Sequence, residues 1–150
     1  MKKIWIGALA ALLLLTACGQ EEKPAAAPTA VPAEEVALRL AEKAETEKDG
    51  VLLKIESFED GMLHIRLINH SGKTWYYGES YSLFKRNAED GWTSVPDDRS
   101  WIMIAYELED GDEVSLALDL SPLPLETGTY KLVRDGMELP FRLIMVVKDK

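Results

Sequence analysis

Residues 51–69 read VLLKIESFEDGMLHIRLIN, and the spacing of their apolar side chains decides the fold. Apolar residues alternate on both sides of the central pair Asp60-Gly61; they are Leu53 and Ile55 before it, and Leu63, Ile65 and Leu67 after it. Alternate side chains of a β-strand point to opposite faces, so each half predicts a strand with one buried face. Asp tolerates a left-handed backbone conformation and Gly adopts it freely, which suits the pair to a tight reversal. The stretch therefore predicts a β-hairpin.

The Asp-Gly pair occurs five times in the chain, at residues 49–50, 60–61, 90–91, 110–111 and 135–136. Four of these pairs lie between short segments with alternating apolar residues. Besides the first hairpin, there are six such segments: one with Tyr81 and Leu83; one with Trp92 and Val95; one with Ile102, Ile104 and Tyr106; residues 114–120; one with Tyr130 and Leu132; and residues 141–147. Parallel strands need long crossovers, so this spacing predicts antiparallel strands, about seven or eight of them. We therefore expect an all-β sandwich over residues 50–150.

Residues 125–130, LETGTY, give a second and independent indication of the fold. A Leu, a Gly turn and a Tyr at the start of the penultimate strand resemble the tyrosine corner of immunoglobulin-like (Ig-like) sandwiches. In that motif the Tyr hydroxyl bonds to upstream backbone, so we expect a structural role for Gly128 and Tyr130. The chain has no Cys-Trp-Cys framework, which excludes an antibody-type domain and leaves an Ig-like or fibronectin-like relative.

Several short motifs occur in a distinctive order. They are LINHS at residues 67–71, YGESYSL at 77–83, DGW at 90–92, VP at 95–96 and GTYKLV at 128–133. Together they resemble the bacterial Ig-like domain of envelope lipoproteins, chiefly of Gram-positive bacteria, over about residues 50–135. The usual GKYR ending is replaced here by GTYK, which keeps the Gly and the Tyr. The resemblance implies an extracytoplasmic, non-enzymatic module, and it implies no particular ligand.

Residues 1–17 have the features of a secretory signal peptide. A basic start precedes an apolar run at residues 4–15, which is shorter than the roughly 20 residues that span a bilayer. The sequence LTAC at residues 15–18 resembles the lipobox of bacterial lipoproteins, in which a diacylglyceryl group alkylates the Cys sulfur before cleavage on its N-terminal side. The alternative is that Cys18 is a small apolar residue of a signal peptide or membrane helix. We expect lipidation of Cys18 and attachment to the extracytoplasmic face of the cell membrane, or to the outer membrane in a Gram-negative host.

The charge of the chain excludes one class of partner. It has 17 basic and 26 acidic side chains and a net charge of −9, and cleavage before Cys18 would leave a net charge of −11. Such a surface is soluble and is repelled by anionic headgroups. Nucleic-acid binding needs basic side chains that neutralise phosphates, so no nucleic-acid partner is expected. A single Cys also excludes an internal disulfide and a zinc site with several Cys ligands.

Two segments precede the first hairpin. Residues 18–32 combine three Pro residues with small residues and predict an extended, semi-rigid tether. Residues 33–49 contain helix formers after Pro32, with acidic residues in the first turn, which favours a short helix. Apolar residues also alternate there, at Val36, Leu38 and Leu40, so an edge strand is the alternative.

The sequence has no clear catalytic or metal-binding pattern. His64 points away from the predicted core face and His70 lies in a turn, so both are expected at the surface. Asp97-Asp98 and the acidic residues 107–113 do not match the spacing of a calcium loop. The serines lack a nucleophile-elbow context, and the glycines do not form a phosphate-binding loop. We therefore predict a protein that is not an enzyme and has no cofactor or metal.

Aromatic residues in the middle third of the chain offer the one candidate binding surface. Such residues anchor protein and carbohydrate interfaces, but they also fill β-sandwich cores. We expect four of them in the core: Tyr77, Tyr81, Trp92 and Trp101. Trp75 and Tyr76, beside the turn at residues 71–73, are the candidate interaction surface.

These observations favour a lipid-anchored envelope module that binds another protein or a wall component through its loops or an edge strand. The alternative is a regulator or inhibitor of an extracytoplasmic proteinase. Residues 92–101, which include Val95-Pro96, would be the loop presented to that proteinase. A small hydrolase or metalloenzyme is disfavoured because the necessary residue patterns are missing.

Overall fold

The computed structural model describes residues 35–148, and this part of the chain consists of β-strands, turns and loops without a helix. The strands are β1 (Val36–Leu40), β2 (Ala44–Lys48), β3 (Val51–Glu59), β4 (Met62–Asn69), β5 (Trp75–Tyr77), β6 (Ser82–Arg86), β7 (Trp92–Ser94), β8 (Tyr106–Leu108), β9 (Glu113–Asp119), β10 (Gly128–Arg134) and β11 (Met137–Val147). The predicted signal peptide at residues 1–17, the lipidated Cys18 and the tether at 18–32 lie outside the described residues. None of the described residues forms a helix that is long and apolar enough to cross a bilayer.

The strands form two larger sheets and a short ribbon. One sheet has the order β1-β11-β10-β6-β7, the second has the order β2-β3-β4-β9, and β5 pairs with β8 in the ribbon. Every pairing among these strands is antiparallel. Inward side chains of both larger sheets make one hydrophobic core. The predicted antiparallel, Ig-like β-sandwich is therefore confirmed. The predicted count of seven or eight strands is too low, because the two larger sheets contain nine strands and the ribbon adds two.

The Asp-Gly pairs make the tight turns that their chemistry favours. Three of them connect neighbouring strands, and both residues of each have a positive φ: Asp49 and Gly50, Asp60 and Gly61, and Asp135 and Gly136. Two successive positive φ angles define the type I′ turn, whose twist matches that of paired strands. In the pair at residues 90–91 only Asp90 has a positive φ, and in the pair at residues 110–111 only Gly111 does. A side chain at position 61 would also collide with the neighbouring loop, because an added Cβ would lie 2.8 Å from the Cβ of Ser121.

The first hairpin supplies the centre of the core, as predicted. Its five alternating apolar residues are 0–1% exposed: Leu53, Ile55, Leu63, Ile65 and Leu67. Residues of β10 and β11 cover them from the other sheet. Burial of a Leu or Ile side chain contributes about 1.5–3 kcal/mol, so this hairpin is a large part of what stabilises the domain.

The short helix favoured for residues 33–49 is wrong over the described part of that segment, and the alternative edge strand is correct. β1 pairs with β11, and β2 pairs with β3. Leu38 and Leu40 pack against the core from β1. Pairing with these strands, β3 next in sequence and β11 far from it, outweighs the modest helix propensity of the segment. The sandwich thus begins at Val36. Its predicted start, at Gly50, is too late in the sequence.

Two other predictions about strands are also wrong. The segment with Ile102 and Ile104 is an exposed loop, and β8 begins only at Tyr106. The alternation predicted at the end of β11 does not bury Met145 and Val147, which are 56% and 51% exposed. There β11 pairs only with β1. Period-two spacing therefore identified the strand but not the point where it leaves the core.

Candidate binding groove

The structure separates the two residues of the predicted interaction surface. Tyr76 is 58% exposed, whereas Trp75 is half-buried and packs against the core. Neighbouring residues of a strand face opposite sides, so β5 does not present the two rings on one surface. The role of this pair in binding stays a prediction.

Of the four aromatic residues predicted in the core, Tyr81 is buried, and Tyr77 and Trp101 pack partly against the core. The prediction is wrong for Trp92, which is 37% exposed on β7. This strand is a three-residue edge strand whose residues are all exposed. The ammonium group of Lys131 lies 5.0 Å from the centroid of the Trp92 ring and covers it in part.

Three of these aromatic residues meet a fourth at one cavity, which we call the aromatic groove. It has a volume of about 380 Å³ and is lined by Tyr77, Tyr81, Trp101 and Tyr106 together with residues 116–119 of β9. The rings of Tyr77 and Tyr106 stack with centroids 5.3 Å apart, and those of Tyr81 and Trp101 are tilted with centroids 4.8 Å apart. Aromatic rings carry large apolar areas with polar edges, so the groove suits an apolar or aromatic side chain of a ligand.

The motif Asn69-His70-Ser71 positions the ribbon that carries Tyr77 and Tyr106. Asn69 is fully buried at the end of β4. Its side-chain amide donates hydrogen bonds to the carbonyls of Lys73, at 2.7 Å, and Leu108, at 2.8 Å. Its side-chain oxygen accepts a hydrogen bond from the Ser71 N–H at 2.9 Å. This amide therefore ties β5 and β8 to the end of β4.

Arg99 holds the loop beside the groove against β9. Its guanidinium donates hydrogen bonds to the Tyr81 hydroxyl, at 2.7 Å, and to the Asp119 carbonyl, at 2.5 Å. It also forms an ion pair with Asp97 at 2.6 Å. The hydrogen bond from Arg99 lowers the pKa of Asp97, whereas burial raises the pKa of Tyr81. The guanidinium lies 5.1 Å from the Trp101 centroid, so a cation–π contact supports the same arrangement.

A second Arg lies beneath the groove. Arg134 is 2% exposed; its Nε donates to a carboxylate oxygen of Asp135 at 2.9 Å and its Nη2 to the Gly78 carbonyl at 2.7 Å. The Gly78 N–H donates to the other Asp135 oxygen at 2.8 Å. Within residues 35–148 no protein group bonds to the buried Nη1 of Arg134. These bonds fix the turn at residues 78–80, which lies between Tyr77 and Tyr81.

Sequence reasoning missed both Arg residues. A charged residue in a loop or at a turn normally indicates a solvated surface. The sequence predicts a turn at Asp135-Gly136, and nothing in it indicates that the Asp135 carboxylate also binds a buried guanidinium. The only available signal was the position of Arg134 directly before that turn.

Two acidic residues, Glu79 and Asp119, line the groove, and an acidic segment follows Tyr106 in the sequence. Residues 107–113 include five acids, all of them exposed. Glu79 accepts a hydrogen bond from the Tyr106 hydroxyl at 2.6 Å, which raises the pKa of Tyr106. In the part of the chain that the structure describes, no three His, Cys, Asp or Glu side chains are placed to hold a metal ion. His64 lies on the outer face of β4 and His70 in an exposed turn, both away from the groove lining.

Tyr130 and Gly128 lie in a different region, at the start of β10. The Tyr130 ring is fully buried and stacks on Phe141 with centroids 5.9 Å apart. Its hydroxyl accepts a hydrogen bond from the Glu126 N–H at 3.0 Å and donates one to the Glu126 carbonyl at 2.9 Å. An added Cβ at Gly128 would lie 3.0 Å from Cε of Lys85. This is the geometry of a tyrosine corner, and its contribution to stability stays a prediction.

Comparison with known proteins gives one match. A family model described as "Bacterial Ig-like domain" matches residues 42–141. No curated protein and no solved structure matches the chain. The match begins between β1 and β2, and so extends further toward the N-terminus than the resemblance predicted from the sequence motifs.

Proposed function

Because the chain belongs to the family of bacterial Ig-like domains, we propose that it is a lipid-anchored envelope module that binds another protein in its aromatic groove. The family match confirms the predicted resemblance to a bacterial Ig-like domain, and this family is typically non-enzymatic. Two parts of the proposal need separate support, namely the binding site and the anchor.

The binding site is supported by apolar surface concentrated beside the groove. Ile102, Met103 and Ile104 are 61%, 98% and 42% exposed, and Tyr106 is 38% exposed. The Ile104 carbonyl lies 3.5 Å from the position of a Cβ on Gly78, so this loop runs along the groove. Contiguous exposed apolar residues with a polar border are typical of protein interaction sites, and Tyr and Trp are common anchors there.

A photo-crosslinking experiment tests the binding site. A photoreactive phenylalanine analogue is placed at Tyr106 in the groove and, as a control, at Trp92, which has nearly the same exposure but lies on edge strand β7, outside the groove lining. We expect capture of one envelope protein from position 106 and not from position 92. Equal capture from both positions, or none, would contradict the proposal. Capture of glycan alone would replace the protein partner by a wall component.

The same experiment decides the proteinase alternative. Val95 is buried and its N–H donates to the Leu83 carbonyl at 2.8 Å, so within the suspected loop only residues 96–101 lie beyond the pairing with β6. Arg99 fixes this short loop, and a fixed exposed loop is what an inhibitor presents to a proteinase. Identification of the captured protein as a proteinase would select this alternative.

The anchor is supported by the lipobox-like sequence at residues 15–18 and by the acidic charge, which keeps the domain away from anionic headgroups. Two acyl chains give stable membrane binding where one is marginal, and Cys18 is the residue expected to carry them. We therefore expect Cys18→Ser to abolish membrane attachment. Cells fed a labelled fatty acid provide the measurement. Equal incorporation of label into wild type and variant would contradict lipidation, whereas Ser71→Ala should incorporate label as wild type does.

A further inference from the structure

We propose that the aromatic groove takes an extended, basic peptide segment of the partner, which adds to the free edge of β9 as a further strand. The inference rests on the proposed function and specifies the partner's chemistry and its mode of binding. Three observations support it: the hydrogen-bonding groups of β9, its comparison with the other sheet edges, and the charge around the groove.

Alternate residues of β9 direct their backbone groups away from β4. The Leu120 N–H donates to the Gly61 carbonyl, and the Asn69 N–H donates to the Asp112 carbonyl. In the register that pairs Leu118 with Leu63, the even-numbered residues of β9 therefore bond to β4 and the odd-numbered residues face outward. Asp119 agrees with this pattern, because its carbonyl accepts its bonds from Tyr81 and Arg99 instead.

Ser115 and Ala117 thus carry N–H and C=O groups that face the open edge. No hydrogen bond from another described residue reaches these groups. Ala117 also lines the aromatic groove, so the edge and the groove belong to one site. A strand added here would place every second side chain next to the rings of the groove, which is how strand addition combines affinity with specificity.

β9 is also the least protected sheet edge. It has seven residues, whereas β1 and β2 have five each and β7 has three. Its sequence EVSLALD contains neither Lys nor Pro, the residues that commonly block edge pairing. By contrast, β1 contains Arg39 and β2 contains Lys48.

The charge around the groove selects a basic partner over a second copy of this chain. The two Arg residues of the groove lining are already paired, Arg99 with Asp97 and Arg134 with Asp135. The two acids of the same lining, Glu79 and Asp119, form no ion pair with another described residue, and the chain has a net charge of −9. Antiparallel pairing of two copies about Leu116 would place Glu113 opposite Asp119 twice. Like charges directly opposite each other destabilise a strand pair, whereas a basic peptide would be attracted.

Amide hydrogen exchange tests the mode of binding. The probe is a synthetic peptide that alternates Lys with Val or Tyr, added to the isotope-labelled chain purified from membranes in detergent. We expect exchange at Ser115 and Ala117 to slow about tenfold or more, and exchange at the outward amides of Glu45 and Glu47, on the free edge of β2, to stay unchanged. Binding of the peptide without protection at Ser115 and Ala117 would overturn strand addition.

Proline variants give a second test. Ala117→Pro removes an outward N–H and no ladder bond, so the domain should fold and its affinity for the peptide should fall about tenfold. Glu45→Pro is the matched control at the other edge of the same sheet and should bind as wild type does. Unchanged affinity of a folded Ala117→Pro variant would overturn the proposal.

The remaining outcomes separate this inference from the proposed function. Equal binding of a peptide with Glu in place of Lys, or no binding of the basic peptide, would overturn the basic partner. Dimers of this chain that protect the amides of Ser115 and Ala117 would identify a second copy as the occupant of the edge, and would also overturn the basic partner. If crosslinking at position 106 still captures one envelope protein, the proposed function survives these failures. If that crosslinking fails as well, both are rejected.

Discussion

Tyr130 and Tyr81 are both buried and both bond through their hydroxyls to backbone carbonyls, yet their surroundings differ. Tyr130 closes a local turn by bonding both ways to Glu126, four residues upstream. Tyr81 instead bonds to Asp119 on the other sheet and to Arg99 in a loop, and it lines a cavity. The first arrangement completes the sandwich. The second holds separate elements beside a groove, which is why we assign stability to one region and binding to the other.

The largest expected effect concerns Arg134, which lies beneath the groove. Arg134→Met should lower the free energy of unfolding by about 3 kcal/mol or more, because it leaves the Asp135 carboxylate and the Gly78 carbonyl without their buried donor. Urea unfolding measures the change. Arg142→Met, an exposed residue of β11, is the control and should change it little. A midpoint within error of the wild type would show that the groove region does not depend on this ion pair.

The tyrosine corner gives the next largest effect. Tyr130→Phe leaves both the N–H and the carbonyl of Glu126 without the hydroxyl, so we expect a loss of about 1–3 kcal/mol. Peptide or partner binding by the folded variant should be unchanged. If the urea midpoint stays in place and binding weakens instead, Tyr130 is a ligand contact and the tyrosine-corner assignment fails.

Tyr81→Phe sharpens the comparison, because it should lower the free energy of unfolding by less than Tyr130→Phe does. The Asp119 carbonyl keeps its hydrogen bond from Arg99, and Arg99 keeps its ion pair with Asp97. We expect a loss of stability below about 1 kcal/mol together with weaker binding in the groove. Urea unfolding and peptide binding, measured on the same sample, provide the test. A stability loss as large as that of Tyr130→Phe would remove the distinction between the two regions.

The smallest expected effect is on the pH dependence of stability. Arg99 lowers the pKa of Asp97 in the folded state below its ordinary value of 3.8. Such a carboxylate stabilises the fold above its unfolded pKa, and this contribution is lost as the pH falls through the folded pKa. We expect Asp97→Asn to be less stable than wild type at neutral pH, and the difference to shrink in acid. A difference independent of pH would contradict the ion pair.

The sequence predicted those parts of the fold in which local chemistry and tertiary structure agree. The type I′ turn at Asp60-Gly61 and the buried face of Leu63, Ile65 and Leu67 are examples. It mispredicted residues 36–40, because their pairing partner β11 lies about a hundred residues further along the chain. Period-two spacing at Ile102 and Ile104 was equally misleading, since nothing local distinguishes a half-buried strand from an exposed apolar loop.

The candidate site was less predictable than the fold. The aromatic residues indicated the right third of the chain, but the pair chosen, Trp75 and Tyr76, does not line the groove. Tyr106 was assigned to a strand and not to a binding surface. The contacts of Arg99 and Arg134 join residues 20 and 56 positions apart, and no pattern in the sequence reports them.

The pairing of β1 with β11 determines how the domain would respond to tension. The backbone N–H of Lys148 donates to the Glu35 carbonyl at 2.8 Å, so the two ends of the described chain meet at one edge strand. A pull from the N-terminal side, with the groove held by a partner, would load the five paired residues of β1 first. β11 would keep its pairing with β10, and the hairpin of β3 and β4 would keep its core. Under force, the domain would therefore lengthen by releasing one strand before its binding surface is lost.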